Sequence, residues 1–360
     1  MLPSLDPASS TGLVLLPALK ITALLATGYA VDRALSPPNP PPAPKTCIDN
    51  RTLFERAIRH VTFCSKMLTW VIVLCDALAT LHLAAPTSIT LPLASVLLPA
   101  SLASLPAPSA GSPAALPASS PPSAPTLPVL AYSIVAPPSS IPPTLSTSMS
   151  LYPHLTPTAL VMIQPHLFLL FGAALALWGA ALRVACFRAL GPLFTFELTI
   201  SPTHRLVTDG PYAWVRHPSY AGVYAVLLGA SAVMVAPGAW LREAWLAPSL
   251  CAASSWAGSI IPAVGAAPAL SSTDGMTLTA AELLASRGGA GFCGGDVGVS
   301  AVRTVLAWAF VAFWTTKVVY ALRSTNRRLG TEDAELRRVF GAQWEEWAGR
   351  VPWALVPWVF

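Results

Sequence analysis

The segment "VTDGPYAWVRHPSYAG", residues 207–222, decides how this chain is read. It gathers Asp209, Arg216 and His217 among Pro211, Tyr212, Trp214, Pro218 and Tyr220, then runs straight into an apolar stretch long enough to cross a membrane. Asp209-Gly210-Pro211 is a turn signal. Pro218 restrains His217 to extended backbone and suits the first position of a helix. A membrane span is therefore expected to begin at Pro218, with its free N–H groups and positive dipole end at the interface. Arg216, His217, Tyr212 and Tyr220 surround that point, so one reading is an anion-binding mouth at the membrane surface. The other reading is plainer: Tyr and Trp favour interfaces, and Arg216 snorkels to lipid phosphate.

The composition around this segment points to lipid as solvent. The 360 residues are 54% hydrophobic and only 10% charged, whereas a soluble domain carries about a quarter charged residues. The net charge of +5 comes from scattered Lys and Arg, which suits anionic membrane lipid and offers no basic stripe for nucleic acid. Cys47, Cys64, Cys75, Cys186, Cys251 and Cys293 form no CxxC pair and no metal-like spacing with His. Neither a bound metal nor a disulfide framework is expected, and buried free thiols are the simplest reading.

Five segments are apolar enough to span: about 12–31, 62–84, 166–187, 219–240 and 301–322. The first lacks the basic start and small-residue cleavage site of a signal peptide, so it reads as a span. The expected fold class is an all-α integral membrane protein with about five transmembrane helices. Its organisation is two N-terminal helices with a basic loop (1–84), a Pro/Ser/Ala-rich low-complexity loop (85–157), and a core (158–360) that carries a second low-complexity insert at 241–299. Both tracts read as lacking a packed core, the first as disordered or skimming the membrane. Basic residues cluster in the first connection (Arg33, Lys45, Arg51, Arg56, Arg59), after the third span (Arg183, Arg188, Arg205, Arg216) and in the tail. With five spans and a non-cytosolic N-terminus, all of these lie on the cytosolic side, together with the 207–222 segment.

The tail from Arg327, "RRLGTEDAELRRVFGAQWEEWAGRVPWALVPW", reads as an amphipathic interfacial helix over 331–347. Leu336, Val339, Phe340, Trp344 and Trp347 supply its lipid-facing side. Arg328 and Glu332 share one face if the helix continues through Gly330, and an exposed pair of that kind is worth only a few tenths of a kcal/mol, about 0.2–0.5.

Together, "HRLVTDGPYAWVRHPSYAG" and the distal "R…ED…L…FG..W..W..RVP" resemble the isoprenylcysteine carboxyl methyltransferase family, with "LGPLFTFELTI" similar to the lead-in of fungal members. The resemblance covers roughly 160–240 and 301–353. It implies S-adenosyl-L-methionine as cofactor and the C-terminal prenylcysteine of lipidated, CaaX-processed proteins as substrate, with residence in the endoplasmic reticulum and an active site facing the cytosol. Carried over by position, the cofactor contacts fall on His204, Arg205, Leu206, Val207, Tyr212, His217, Pro218, Ser219, Tyr220 and Glu332, and on Glu197, where the family usually has Gln. Arg328 falls on the arginine that meets the substrate, so the resemblance makes it the catalytic and substrate-binding residue. The substrate carboxylate is already ionised near neutral pH and needs no general base, so the implied task is alignment for in-line methyl transfer. The RHPxYxG core is shared with phospholipid amine methyltransferases and sterol reductases, and an inactive membrane paralogue is the remaining alternative. The two inserts depart from the family pattern.

Overall fold

The computed structural model describes residues 10–40, 53–87, 90, 92, 96–98, 102, 155–194, 205–250 and 301–359. Among them the chain forms helices α1 (Ser10–Leu35), α2 (Leu53–Ala84), α3 (Pro157–Ile163), α4 (Leu167–Leu190), α5 (Pro218–Val235), α6 (Ala301–Phe340) and α7 (Ala342–Arg350). No strand occurs among the described residues, and five segments are long and apolar enough to cross a membrane. The protein is an all-α integral membrane protein. Large apolar side chains such as Phe63, Val71, Phe171, Trp178, Val305 and Phe313 point outward, which only lipid tolerates in such number.

The element boundaries follow local chemistry. Thr156 caps α3, accepting from the Ala159 N–H, with Pro157 at the first helical position. The His166 ring caps α4 by accepting from the Phe168 N–H. α4 ends where Gly191 adopts φ +52°, a conformation that favours glycine.

The most intimate pairing is between α4 and α5. A Cβ on Gly229 would stand 2.6 Å from the Gly172 carbonyl oxygen, and one on Gly179 would stand 2.7 Å from that of Gly222. Small residues one heptad apart on both helices therefore let the backbones touch, the usual way membrane helices associate without a hydrophobic driving force between them. α1 lies against α4 and α5, and α2 lies against α1. α6 is tied to α5 by side-chain hydrogen bonds. The Trp314 indole donates to Ser231 Oγ at 2.9 Å, and the Tyr224 hydroxyl donates to the Leu322 carbonyl at 3.1 Å.

At one end of the bundle Lys20 is fully buried in α1. Its ammonium donates to Asp76 Oδ1 (2.7 Å), the Met162 carbonyl (2.6 Å) and the Gly238 carbonyl (2.8 Å). All three ammonium protons are thereby used, joining α1, α2, α3 and the turn after α5.

Three expectations are corrected here. The tail does not form a separate interfacial helix over 331–347. α6 continues unbroken through Gly330 to Phe340, about 60 Å at 1.5 Å per residue, and breaks only at Gly341, whose φ is +50°. Leu336, Phe340 and Trp347 face a cavity, not lipid. In the second insert, the first ten residues are helical with a π-type turn at Leu241–Leu246, and Leu241, Glu243 and Ala244 are buried. From the low-complexity loop, Leu98 and Leu102 pack into the main core, and the Trp240 indole donates to the Leu97 carbonyl. Residues 103–154 and 251–300 lie outside the described residues.

Candidate active site

The turn Gly210–Ala213 and the start of α5 place the 207–222 segment against α4, α6 and the C-terminal tail. Pro218 opens α5 as the sequence requires. The tail crosses the segment in a short ladder, with the Arg216 N–H donating to the Trp353 carbonyl (2.9 Å) and the His217 N–H to the Ala354 carbonyl (2.8 Å). Arg216 Nη1 adds a bond to the Pro352 carbonyl at 2.7 Å. Beneath the tail, Tyr212 is buried with Cys186, Trp347 and Val351, and its carbonyl accepts from the Trp347 indole at 3.3 Å. Burial pushes the Tyr212 phenol up, so it stays neutral.

Opposite the start of α5, α6 presents two adjacent carboxylates. His217 Nε2 lies 2.9 Å from Asp333 Oδ1, and Nδ1 lies 3.5 Å from Glu332 Oε2. Glu332 Oε1 also accepts from the Tyr220 hydroxyl and, at 2.9 Å, from Arg328 Nε. Arg216 Nη2 reaches Asp333 Oδ2 at 3.3 Å. Burial would lower the His217 pKa, but hydrogen bonds and charge from Asp333 and Glu332 outweigh it and raise it to about 9. The ring is therefore an imidazolium near neutral pH. Its nitrogens face the carboxylates of α6, and the N–H groups of Tyr220 and Ala221 turn back to the His217 carbonyl. The expected open anion mouth at Pro218 is accordingly filled by the protein's own carboxylates. The Arg328–Glu332 pair is not a plain surface ion pair either. Both side chains are sheltered, at 10% and 19% exposure, because the cavity walls shield them.

These groups line one cavity of roughly 240 Å³. Of the expected contacts, Arg205, Leu206, Val207, Tyr212, His217, Ser219, Tyr220, Arg328 and Glu332 all line it. Pro218 is buried and contributes as the first residue of α5. Glu197 and His204 lie outside the described residues. Sequence reasoning missed Arg183, which it counted only as a loop cation. Arg183 is buried in α4, where Nε donates to the Ala34 carbonyl (2.6 Å) and Nη1 to Ser219 Oγ (3.0 Å), with the Phe187 and Phe194 rings beside the guanidinium. Its spacing in α4 carried a signal: Gly172, Ala176, Gly179 and Arg183 share the face turned to α5.

Among the described residues, the cations that line the cavity (Arg183, Arg205, Arg216, His217, Lys317 and Arg328) outnumber the lining carboxylates Glu332 and Glu335. The same lining includes the apolar Leu35, Ile58, Val61, Val223 and Leu227. Such a space fits an amphiphile with an anionic head. Among the described residues no group of three His, Cys, Asp or Glu is arranged to hold a metal.

Comparison with known proteins agrees with the 207–222 segment. Residues 172–247 match the model of the isoprenylcysteine carboxyl methyltransferase (ICMT) family. Over 68 residues the chain is 37% identical to protein-S-isoprenylcysteine O-methyltransferase of Mus musculus and equally to that of Homo sapiens. Each match covers 18% of this chain and 24% of the relative, so the chain spans about a quarter of the length of the curated relatives it matches. No solved structure matches it. The matched segment holds most of α4, the whole 207–222 segment and α5, whereas Arg328 and Glu332 lie beyond it and join it only in the fold. Through that segment the chain is similar to the isoprenylcysteine carboxyl methyltransferase family.

Proposed function

We propose that this protein methylates the C-terminal carboxylate of prenylated cysteine, with S-adenosyl-L-methionine as methyl donor, on CaaX-processed proteins at the endoplasmic reticulum membrane. The observation that carries this reading is the amphiphilic cavity, whose lining among the described residues combines more cations than carboxylates with apolar side chains of α1, α2 and α5. The catalytic unit is taken as 158–360, with α1 and α2 supplying one wall. The distribution of basic residues supports a site that faces the cytosol.

The residues present fit the donor. Glu332 retains acceptor capacity beyond its contacts with Arg328, Tyr220 and His217, which suits an ammonium group. Arg205, Leu206, Val207, Tyr212 and Ser219 provide a mixed polar and apolar wall for the rest of it, joined in this proposal by His204 and Glu197. When bound, S-adenosyl-L-methionine supplies an electrophilic sulfonium methyl. The chain's own residues then have four tasks. Arg328 orients the substrate carboxylate through charge-assisted hydrogen bonds. Glu332, clamped by Tyr220 and Arg328, holds the donor's amine. His217 braces Glu332 and Asp333 as an imidazolium and need not move a proton, since the nucleophile is already ionised. The tail ladder over Arg216 and His217 and the buried Trp347 exclude water from this end. Alignment of this kind contributes on the order of 7–11 kcal/mol to comparable reactions.

The test uses membranes from cells expressing the chain, methyl-labelled S-adenosyl-L-methionine and N-acetyl-S-farnesylcysteine. Base-labile methyl ester that disappears with Arg328→Ala is the expected result. Label in phospholipid without ester would transfer the assignment to an amine methyltransferase, a class that the excess positive charge around Arg328 disfavours. Label in neither, with folded protein, would sink both.

A further inference from the structure

The cavity lining carries a charge on α6 well away from Arg328. Lys317 lies on the same face of α6 as Ala321, Thr325 and Arg328, and it lines the cavity together with Ser65 of α2 and Leu227 of α5. Its ammonium donates to Ser65 Oγ at 3.0 Å and stands 3.4 Å from the centroid of the Trp314 ring. Both partners are themselves fixed. Ser65 Oγ donates to the Val61 carbonyl at 2.6 Å, and the Trp314 indole donates to Ser231 Oγ. An ammonium between a hydroxyl and an indole face is well held in a low-dielectric setting, whereas one stripped of both inside a membrane is costly.

We infer that Lys317, pinned between Ser65 and Trp314, is the floor of the lipid channel and sets the longest prenyl chain that the site accepts. This rests on the prenylcysteine reading above and concerns specificity within it. Arg328, which meets the carboxylate, and Lys317 are eleven residues apart on one helix, a rise of about 16 Å at 1.5 Å per residue. That distance suits an extended farnesyl chain. A geranylgeranyl chain is one isoprene unit longer, and its end has to push the ammonium off Ser65 and the indole. The channel therefore favours the shorter chain through the cost of an unpaired cation as well as through steric closure. The lysine interrupts an otherwise apolar run in α6 that a lipid channel alone does not require.

The experiment compares kcat/KM for N-acetyl-S-farnesylcysteine and N-acetyl-S-geranylgeranylcysteine in membranes carrying the full-length chain, either wild type or Lys317→Ala. The wild type is expected to prefer farnesyl. Lys317→Ala removes stem and charge, and the geranylgeranyl-to-farnesyl ratio is expected to rise at least about tenfold, the scale on which pockets discriminate single apolar groups. Lys317→Met keeps most of the bulk, is safe in a membrane helix and should give a smaller rise of the same sign, so the idea remains exposed if the alanine variant fails to fold. An unchanged ratio in whichever variants remain active would overturn Lys317 as the floor while leaving the methyltransferase reading intact. A wild type that esterifies neither compound would overturn the functional reading, and this inference with it.

Discussion

The bundle buries charge at two places, and the contrast between them separates scaffold from site. Around Lys20, an ammonium with three donors meets one carboxylate and two carbonyls, and nothing of it reaches solvent or a cavity. Around His217, two guanidinium groups and an imidazolium meet two carboxylates beside an open space. The first cluster is saturated, so it has no capacity left for a ligand and serves to hold four elements in register. The second borders a cavity, so its side chains are placed to meet a ligand as well as one another.

The largest expected effect tests the saturated cluster. Asp76→Ala strands the Lys20 ammonium inside the membrane and should cost about 3–5 kcal/mol of stability, read as loss of folded protein or a lower midpoint in detergent unfolding. The double variant Lys20→Met/Asp76→Leu should recover most of it without loss of methyl transfer. If Asp76→Ala left stability untouched while abolishing activity, the division into scaffold and site would be wrong.

Next is Arg328→Ala, which should lower methyl transfer at least about a hundredfold, equivalent to about 2.7 kcal/mol. Binding of the methyl donor should survive, whereas Glu332→Ala should weaken it. Equal loss of donor binding in both variants would assign Arg328 to the donor.

The pH dependence is more moderate. The His217 pKa stands at about 9 in the fold against an ordinary 6.5, so its charged contacts with Glu332 and Asp333 stabilise fully below about 6.5. That contribution declines above 6.5 and is lost as the pH rises through about 9. Unfolding midpoints in detergent should fall over this window, and His217→Gln should flatten the profile. A profile as steep in the variant would show that another group titrates there. The smallest effect is expected of Trp347→Phe, which forfeits one hydrogen bond to the Tyr212 carbonyl and should cost about 1 kcal/mol. A loss several times larger would mean that the tail cover contributes more than that bond.

How much of this was legible depended on the length scale of each signal. The spans were, because hydropathy sums over some twenty neighbouring residues. The start of α5 was, because Pro218 acts on its own backbone. The Arg328–Glu332 pair was, because spacing of four places both on one helical face. The end of α6 was misjudged. Gly330 carries a modest helix cost that neighbours override, whereas Gly341 sits where the chain turns at positive φ. Lys20, Asp76, Arg183 and Lys317 each stood in the sequence as a single charged residue in a largely apolar run. Such a residue announces that a partner exists without naming it.

The sequence by itself determined the solvent of this protein, its helices, the place where α5 begins and the family resemblance, since each rests on composition or on residues adjacent along the chain. Only the tertiary structure decided that residues more than a hundred positions apart share one cavity, that Arg183 and Lys317 line it and that Lys20 is spent on the scaffold. Pairing energies in a medium of low dielectric depend on separations of a few ångströms, and those are set by helix packing across the whole bundle.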